Sequence, residues 1–121
     1  MGSLRTKESE EIYARYRKKK IDGYCPFCEG DLQIREWKHW ILLENRFPYD
    51  AVAEVSHLLA TKKHRGTMNE WERKELKKIL DEISEDYDSM IMNFLPKQTL
   101  PKHLHYHLLK YYDTTNQQHY N

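Results

Sequence analysis

The sequence predicts an α+β domain: an antiparallel sheet with one long helix packed on it and a short N-terminal helix. Alternating apolar runs at residues 32–36, 38–44 and 54–61 read as three strands of a meander. Helical spacing of Leu76, Ile79, Leu80, Ile83, Tyr87, Met90, Ile91 and Phe94 then predicts a long helix over about residues 69–94. A last alternating run, residues 103–111, returns after that helix and is free to pair with the meander.

The elements follow in order. Residues 7–20 run from acidic to basic, the sense that suits a helix dipole, and carry Ile12, Tyr13 and Tyr16 as a narrow apolar stripe. Asp22-Gly23 breaks the chain and delivers Cys25-Pro26-Phe27-Cys28 into a turn closed by Gly30-Asp31. The second strand ends at Asn45-Arg46-Phe47-Pro48-Tyr49. The third leads into Lys62-Lys63-His64-Arg65-Gly66, after which Thr67 or Asn69 caps the long helix. Residues 97–101 form a loop, and the tail has no periodicity. The expected division is a helical extension at 1–23, one domain at 24–112 and a tail at 113–121.

A chain of 121 residues suits one domain with a real core. Twenty Lys and Arg against 19 Asp and Glu give a net charge of +1, which removes the electrostatic argument for a nucleic-acid binder or a membrane-surface protein. No apolar run approaches the roughly 20 residues of a membrane span, and the polar start does not read as a signal peptide. A soluble, cytoplasmic protein is expected. The composition stands out for its seven histidines, six of them between residues 39 and 107.

Two patterns carry chemistry. In Pro101-Lys-His-Leu-His-Tyr-His-Leu-Leu109, a strand would line one surface with His103, His105 and His107 and the other with Leu104, Tyr106 and Leu108. Such a row suits phosphoryl or nucleotidyl transfer, since neutral imidazole attacks phosphorus and its neighbours can bind phosphate oxygens. It also suits metal binding by one or two members, or is a surface strand with coincidental histidines. The Cys25 and Cys28 pair closes too short a loop to staple a fold. It supplies half of a tetrahedral zinc site that His64 or members of the row can complete. A redox pair wants a strand-then-helix context, and here Glu29-Gly30-Asp31 and a strand follow instead. A bare pair of thiols is the remaining reading.

The pattern His-Leu-His-Tyr-His-Leu-Leu resembles the signature of the histidine triad (HIT) superfamily. Ile41 to Tyr49 looks like that family's strand ending in Asn, and His57 to His64 like its next strand with a basic pair and His. The likeness covers about residues 24–111. The Cys-Pro-Phe-Cys turn is similar to that of zinc-containing members related to galactose-1-phosphate uridylyltransferases and dinucleoside polyphosphate hydrolases. This resemblance implies structural zinc on Cys25, Cys28, His64 and His103. It implies His105 as the nucleophile toward the α-phosphate of a nucleotide, through a covalent nucleotidyl-histidine. It implies His107 as catalytic and phosphate-binding partner, Gln98 or Thr99 as further phosphate contacts, and Asn45 near the ribose. His57 reads as structural. Family members often carry a glycine in the loop before the triad, and this chain has none between Lys97 and Lys102. The resemblance implies a HIT-like nucleotide hydrolase or nucleotidyltransferase, with dinucleoside polyphosphates, nucleotide sugars or phosphoramidates as substrates, that forms a homodimer and binds neither membrane nor nucleic acid. The alternative is a non-catalytic, zinc-stabilised nucleotide-binding or protein-interaction module of the same fold.

Overall fold

The computed structural model describes residues 4–18, 24–94 and 103–113. Two helices, α1 (Lys7–Lys18) and the single turn α2 (Pro26–Glu29), precede the strands β1 (Gln33–Glu36), β2 (Trp40–Glu44) and β3 (Ala53–Thr61). The helix α3 (Glu70–Ile83), a 3-10 turn (Ser84–Asp86), β4 (Ser89–Ile91) and β5 (His105–Tyr111) follow. The strands form one sheet in the order β1-β2-β3-β5-β4, with every neighbouring pair antiparallel. This is the α+β architecture the sequence predicts, and β5 returns beside β3 as expected.

Register explains why the sheet has two different faces. Leu58 faces His107 and Ala60 faces His105 across the β3–β5 ladder, so those residues share one face while Leu59, Tyr106 and Leu108 share the other. On the second face Trp40, Leu42, Leu59, Leu104 and Leu108 pack against Leu76, Ile79 and Ile83 of α3, forming the main core. On the first face Ile41, Leu43 and Ala60 pack under Cys25 and Phe27. The histidine row thus lies on the face away from the long helix, with its His103 end beneath the cysteine turn.

Asn69 starts α3 with a reciprocal capping box: its side chain accepts from Glu72 N at 2.9 Å, while the Glu72 carboxylate accepts from Asn69 N at 2.7 Å. Glu72 is only 1% exposed, and that burial is compensated by a 2.6 Å ion pair with Arg65. Burial raises its carboxyl pKa, but the Arg65 and Asn69 hydrogen bonds outweigh this and hold it below the usual range. The pair also ties the loop carrying His64 to the helix.

One expectation needs correction. The long helix ends at Ile83 rather than continuing to residue 94. The last turn of α3 has no basic residue and is followed closely by Glu85 and Asp86, whose negative charges oppose the dipole at a helix C-terminus. The chain instead extends into β4, whose Met90 and Ile91 pair with Leu108 and His107 and cover the outer edge of β5. Strand β1 forms where the sequence predicts one, and it is exposed along its whole length. Leu32 has a positive φ of 59° after Gly30 at 69°, and the pairing with β2 slips between Gln33 and Arg35, which frees this edge strand from the core pattern. The cysteine turn, closed at Gly30 as expected, takes the form of one turn of helix capped by left-handed Gly30.

Helix α1 (Lys7–Lys18) covers the expected helix over 7–20 except for its last two residues, which lie outside the described residues. It is clamped to the loop after β2. The Asp50 carboxylate accepts from Thr6 N at 2.8 Å, from Thr6 Oγ1 at 3.2 Å and from Ser9 Oγ, and Ala51 N donates to Leu4 O at 3.0 Å. Tyr13 and Tyr16 pack on the Phe47 ring at 5.1 and 4.7 Å. No helix among the described residues is long and apolar enough to cross a membrane.

Candidate active site and metal centre

At the His103 end of the row, four donor atoms meet. Sγ of Cys25, Sγ of Cys28, and ring nitrogens of His64 and His103 all lie within 4.8 Å of one another. Helix α2 brings the sulfurs in, the loop after β3 brings His64, and the residues just before β5 bring His103. Nε2 of His103 lies 2.6 Å from the Thr61 carbonyl, a pure acceptor, so the proton sits on Nε2 and Nδ1 presents its lone pair. That Nδ1 is 3.4 Å from Cys25 Sγ, 3.8 Å from Cys28 Sγ and 3.2 Å from His64 Nδ1. Cys28 Sγ is 3.3 Å from His64 Nδ1.

Those spacings fit a tetrahedral ion. Bonds of about 2.3 Å to sulfur and about 2.0 Å to nitrogen give sulfur–nitrogen edges of about 3.5 Å and nitrogen–nitrogen edges of about 3.3 Å. Two thiols and two imidazoles are a donor set compatible with zinc. Burial, then the neighbouring Cys25 and the Glu29 carboxylate, push the Cys28 thiol up to about 11. Its thiolate therefore needs a cation beside it.

One step along the face, His105 is buried and differently held. Its Nδ1 lies 2.8 Å from the His103 carbonyl, so Nδ1 carries the proton and Nε2 the lone pair. Phe27 packs against His105 at 5.0 Å and against His103 at 5.1 Å, roofing this part of the row. Burial holds the His105 imidazole below its ordinary pKa, favouring the neutral form that is nucleophilic.

His107 has a third setting. Its ring stacks on Tyr49 with centroids 4.4 Å apart and planes 14° apart, and the Tyr49 hydroxyl lies 3.2 Å from Nε2. Asn93 Nδ2 donates to that hydroxyl at 2.7 Å. Nδ1 of His107 is buried with no hydrogen-bond partner among the described residues. Burial, then His105 and Arg5, push the His107 pKa down to about 3, so the ring is neutral.

The four expected metal ligands are therefore brought together, and His105 and His107 lie beside them on the same face. His103 belongs to this face but precedes β5 rather than lying in it, which turns it toward the cysteines. Asn45 sits at the end of β2 with its amide committed to the turn: Oδ1 accepts from Phe47 N at 2.9 Å and Nδ2 donates to Ser56 Oγ at 3.4 Å. Gln98 and Thr99 lie outside the described residues. His57 is on the opposite face, 2.6 Å from the Tyr87 hydroxyl, which agrees with a structural part. The sequence reading gave no role to Tyr49, Asn93 or Arg5. Tyr49 lay within the quoted Phe-Pro-Tyr turn, whereas Asn93 was hidden by the overlong helix and Arg5 by its distance along the chain.

No family model matches the chain, and no curated protein matches it. Among solved structures it is similar to a HIT family hydrolase from Clostridium thermocellum, with a TM-score of 0.57 and 24% identity, covering 78% of this chain and 96% of that one. The likeness spans almost the whole of that hydrolase, and the chain is a HIT-fold protein.

Proposed function

We propose that the chain is a nucleotide hydrolase or nucleotidyltransferase of HIT type, acting at an α-phosphate through a nucleotidyl-His105 intermediate. The observation that carries the reading is the His105 tautomer: a proton held on Nδ1 by the His103 carbonyl at 2.8 Å leaves the Nε2 lone pair for attack. Nε2 forms the new P–N bond as the bond from phosphorus to the leaving oxygen, or to the leaving nitrogen of a phosphoramidate, breaks, and the leaving group takes the electron pair. The carbonyl on Nδ1–H stabilises the positive charge that develops on the imidazole. His107, neutral and with a buried Nδ1 unpartnered among the described residues, supplies a hydrogen bond to a phosphoryl oxygen. Water or another acceptor then attacks phosphorus, the P–N bond breaks, and neutral His105 returns.

Cys25, Cys28, His64 and His103 hold zinc in this reading, and the ion ties α2 to the start of β5. Its part is structural, because four protein ligands leave no open position. Gln98 and Thr99 are proposed phosphate contacts. Asn45 reaches a ribose only by releasing its long contact to Ser56. The substrate class comprises dinucleoside polyphosphates, nucleotide sugars and nucleoside phosphoramidates. A second reading, a non-catalytic nucleotide-binding or interaction module, draws on the burial of His105 and His107 at 5% and 4% exposure.

Metal-loaded protein given one member of each substrate class is expected to release a nucleoside monophosphate, or a transfer product, from at least one. His105→Ala is expected to abolish this. A folded wild-type protein that turns over none of them supports the second reading instead.

A further inference from the structure

We propose that Arg5, from the segment ahead of the sheet, is a positioning residue that acts on His107 through Tyr49. The inference rests on the nucleotidyl-transfer reading, and its test has a readout that does not.

Arg5 is a guanidinium held among rings. Its side chain is only 10% exposed, and it lies 4.4 Å from the Tyr13 ring centroid and 4.9 Å from that of Tyr49. Nε donates to the Phe47 carbonyl at 2.7 Å, and NH1 pairs with Glu10 at 3.1 Å. The Phe47 bond fixes the backbone two residues before Tyr49, whose ring stacks on His107. A flexible solvated arginine makes no such set of contacts. This one is delivered by a segment clamped on both sides of it, through Leu4 to Ala51 and through Thr6 and Ser9 to Asp50.

Two effects follow. The first is positional: the planar fork of Arg5 holds the loop that sets the Tyr49 ring against His107. The second is electrostatic: a fixed cation close to His107 opposes a second positive charge there, and it favours an anionic phosphoryl group at the same end. The titratable or charged groups facing His107 are His105 from its own strand, Tyr49 from the loop, and Arg5 with Glu10 beside it from the N-terminal segment. From β3 and β4 the facing residues are Leu58 and Ile91, both apolar. Among the described residues, Arg5 is thus the permanent cation of this set. The cysteine turn lies at the other end of the row and takes no part.

The test uses the full chain loaded with zinc. Arg5→Met and Arg5→Lys are compared with Thr6→Val, which loosens the same segment without touching the guanidinium. Single-turnover formation of the nucleotidyl-histidine, KM, thermal stability and the NMR titration of His107 are read for each. Arg5→Met is expected to slow intermediate formation about 10- to 100-fold with little change in KM, and to let His107 protonate at higher pH. Arg5→Lys keeps the charge but not the fork, so it should retain the wild-type titration while recovering only part of the rate. Thr6→Val should lower stability and leave the titration unchanged. A wild-type rate and titration in Arg5→Met would overturn the proposal, as would an equal effect of Thr6→Val on the titration. If no substrate is turned over but Arg5→Met still moves the His107 titration, the reaction fails and the positioning role stands.

Discussion

The two ends of the histidine row solve opposite problems on one sheet face. At the His103 end, four donors converge at spacings of 3.2 to 3.8 Å. At the His107 end, a neutral imidazole lies against Tyr49 and keeps a buried nitrogen without a partner among the described residues. One end gathers four donors of the chain itself, whereas the other holds a buried nitrogen that no described residue engages. Between them His105 is oriented by the backbone carbonyl of His103.

The largest separation between the ends should come from Cys25→Ser. Losing a buried sulfur ligand releases the metal and frees α2, with an expected destabilisation on the order of 5 kcal/mol. Metal analysis and thermal unfolding check this: the account expects about one zinc per wild-type chain and none in the variant. An unchanged melting temperature would mean that the cluster does not hold the fold together.

Tyr49→Ala comes next. It removes a buried ring that backs His107, and a loss of about 3 to 5 kcal/mol is expected from the cavity it leaves. Metal content should remain at the wild-type level, because the change lies at the other end of the row. Denaturant unfolding with metal analysis separates the two effects.

The His107 end should also show in the pH dependence of stability. His107 has a folded-state pKa of about 3, below the ordinary histidine value of 6.5, so the unfolded chain binds the extra proton first. Its contribution is fully present above about pH 6.5 and is lost as pH falls toward about 3. Denaturant unfolding of metal-saturated protein at several pH values should therefore give a shallower acid loss for His107→Asn than for wild type. Equal slopes would argue that His107 titrates normally. The smallest effect lies on the other sheet face, where Asn69→Ala removes the α3 cap and should cost about 1 kcal/mol. Both ends of the row should be unaffected, as metal content and the His107 titration would show.

Much of this was legible in the sequence, and particular residues show why. Two-residue spacing places His105 and His107 on one face, with Leu104, Tyr106 and Leu108 turned to the core. The family resemblance implies Cys25, Cys28, His64 and His103 as one set, and their donor atoms do lie within 4.8 Å of one another; residue type alone leaves the histidine partners of the cysteine pair open. The helix end was not legible, because Tyr87, Met90 and Ile91 keep helical spacing even though the backbone of Met90 and Ile91 pairs with β5 as an edge strand. Arg5 and Asn93 were not legible because their importance depends on tertiary contact with Tyr49, 44 residues away in each case. Local pattern identifies which residues can do chemistry, and long-range packing decides what stands behind them.

The most direct test of the account is mass spectrometry of an acid-free quenched single turnover, with the labelled residue mapped by peptide digestion. The account predicts a nucleoside monophosphate adduct on His105, absent from His105→Ala and formed more slowly in Arg5→Met. Product released with no adduct, or an adduct on His103 or His107 instead, would contradict it.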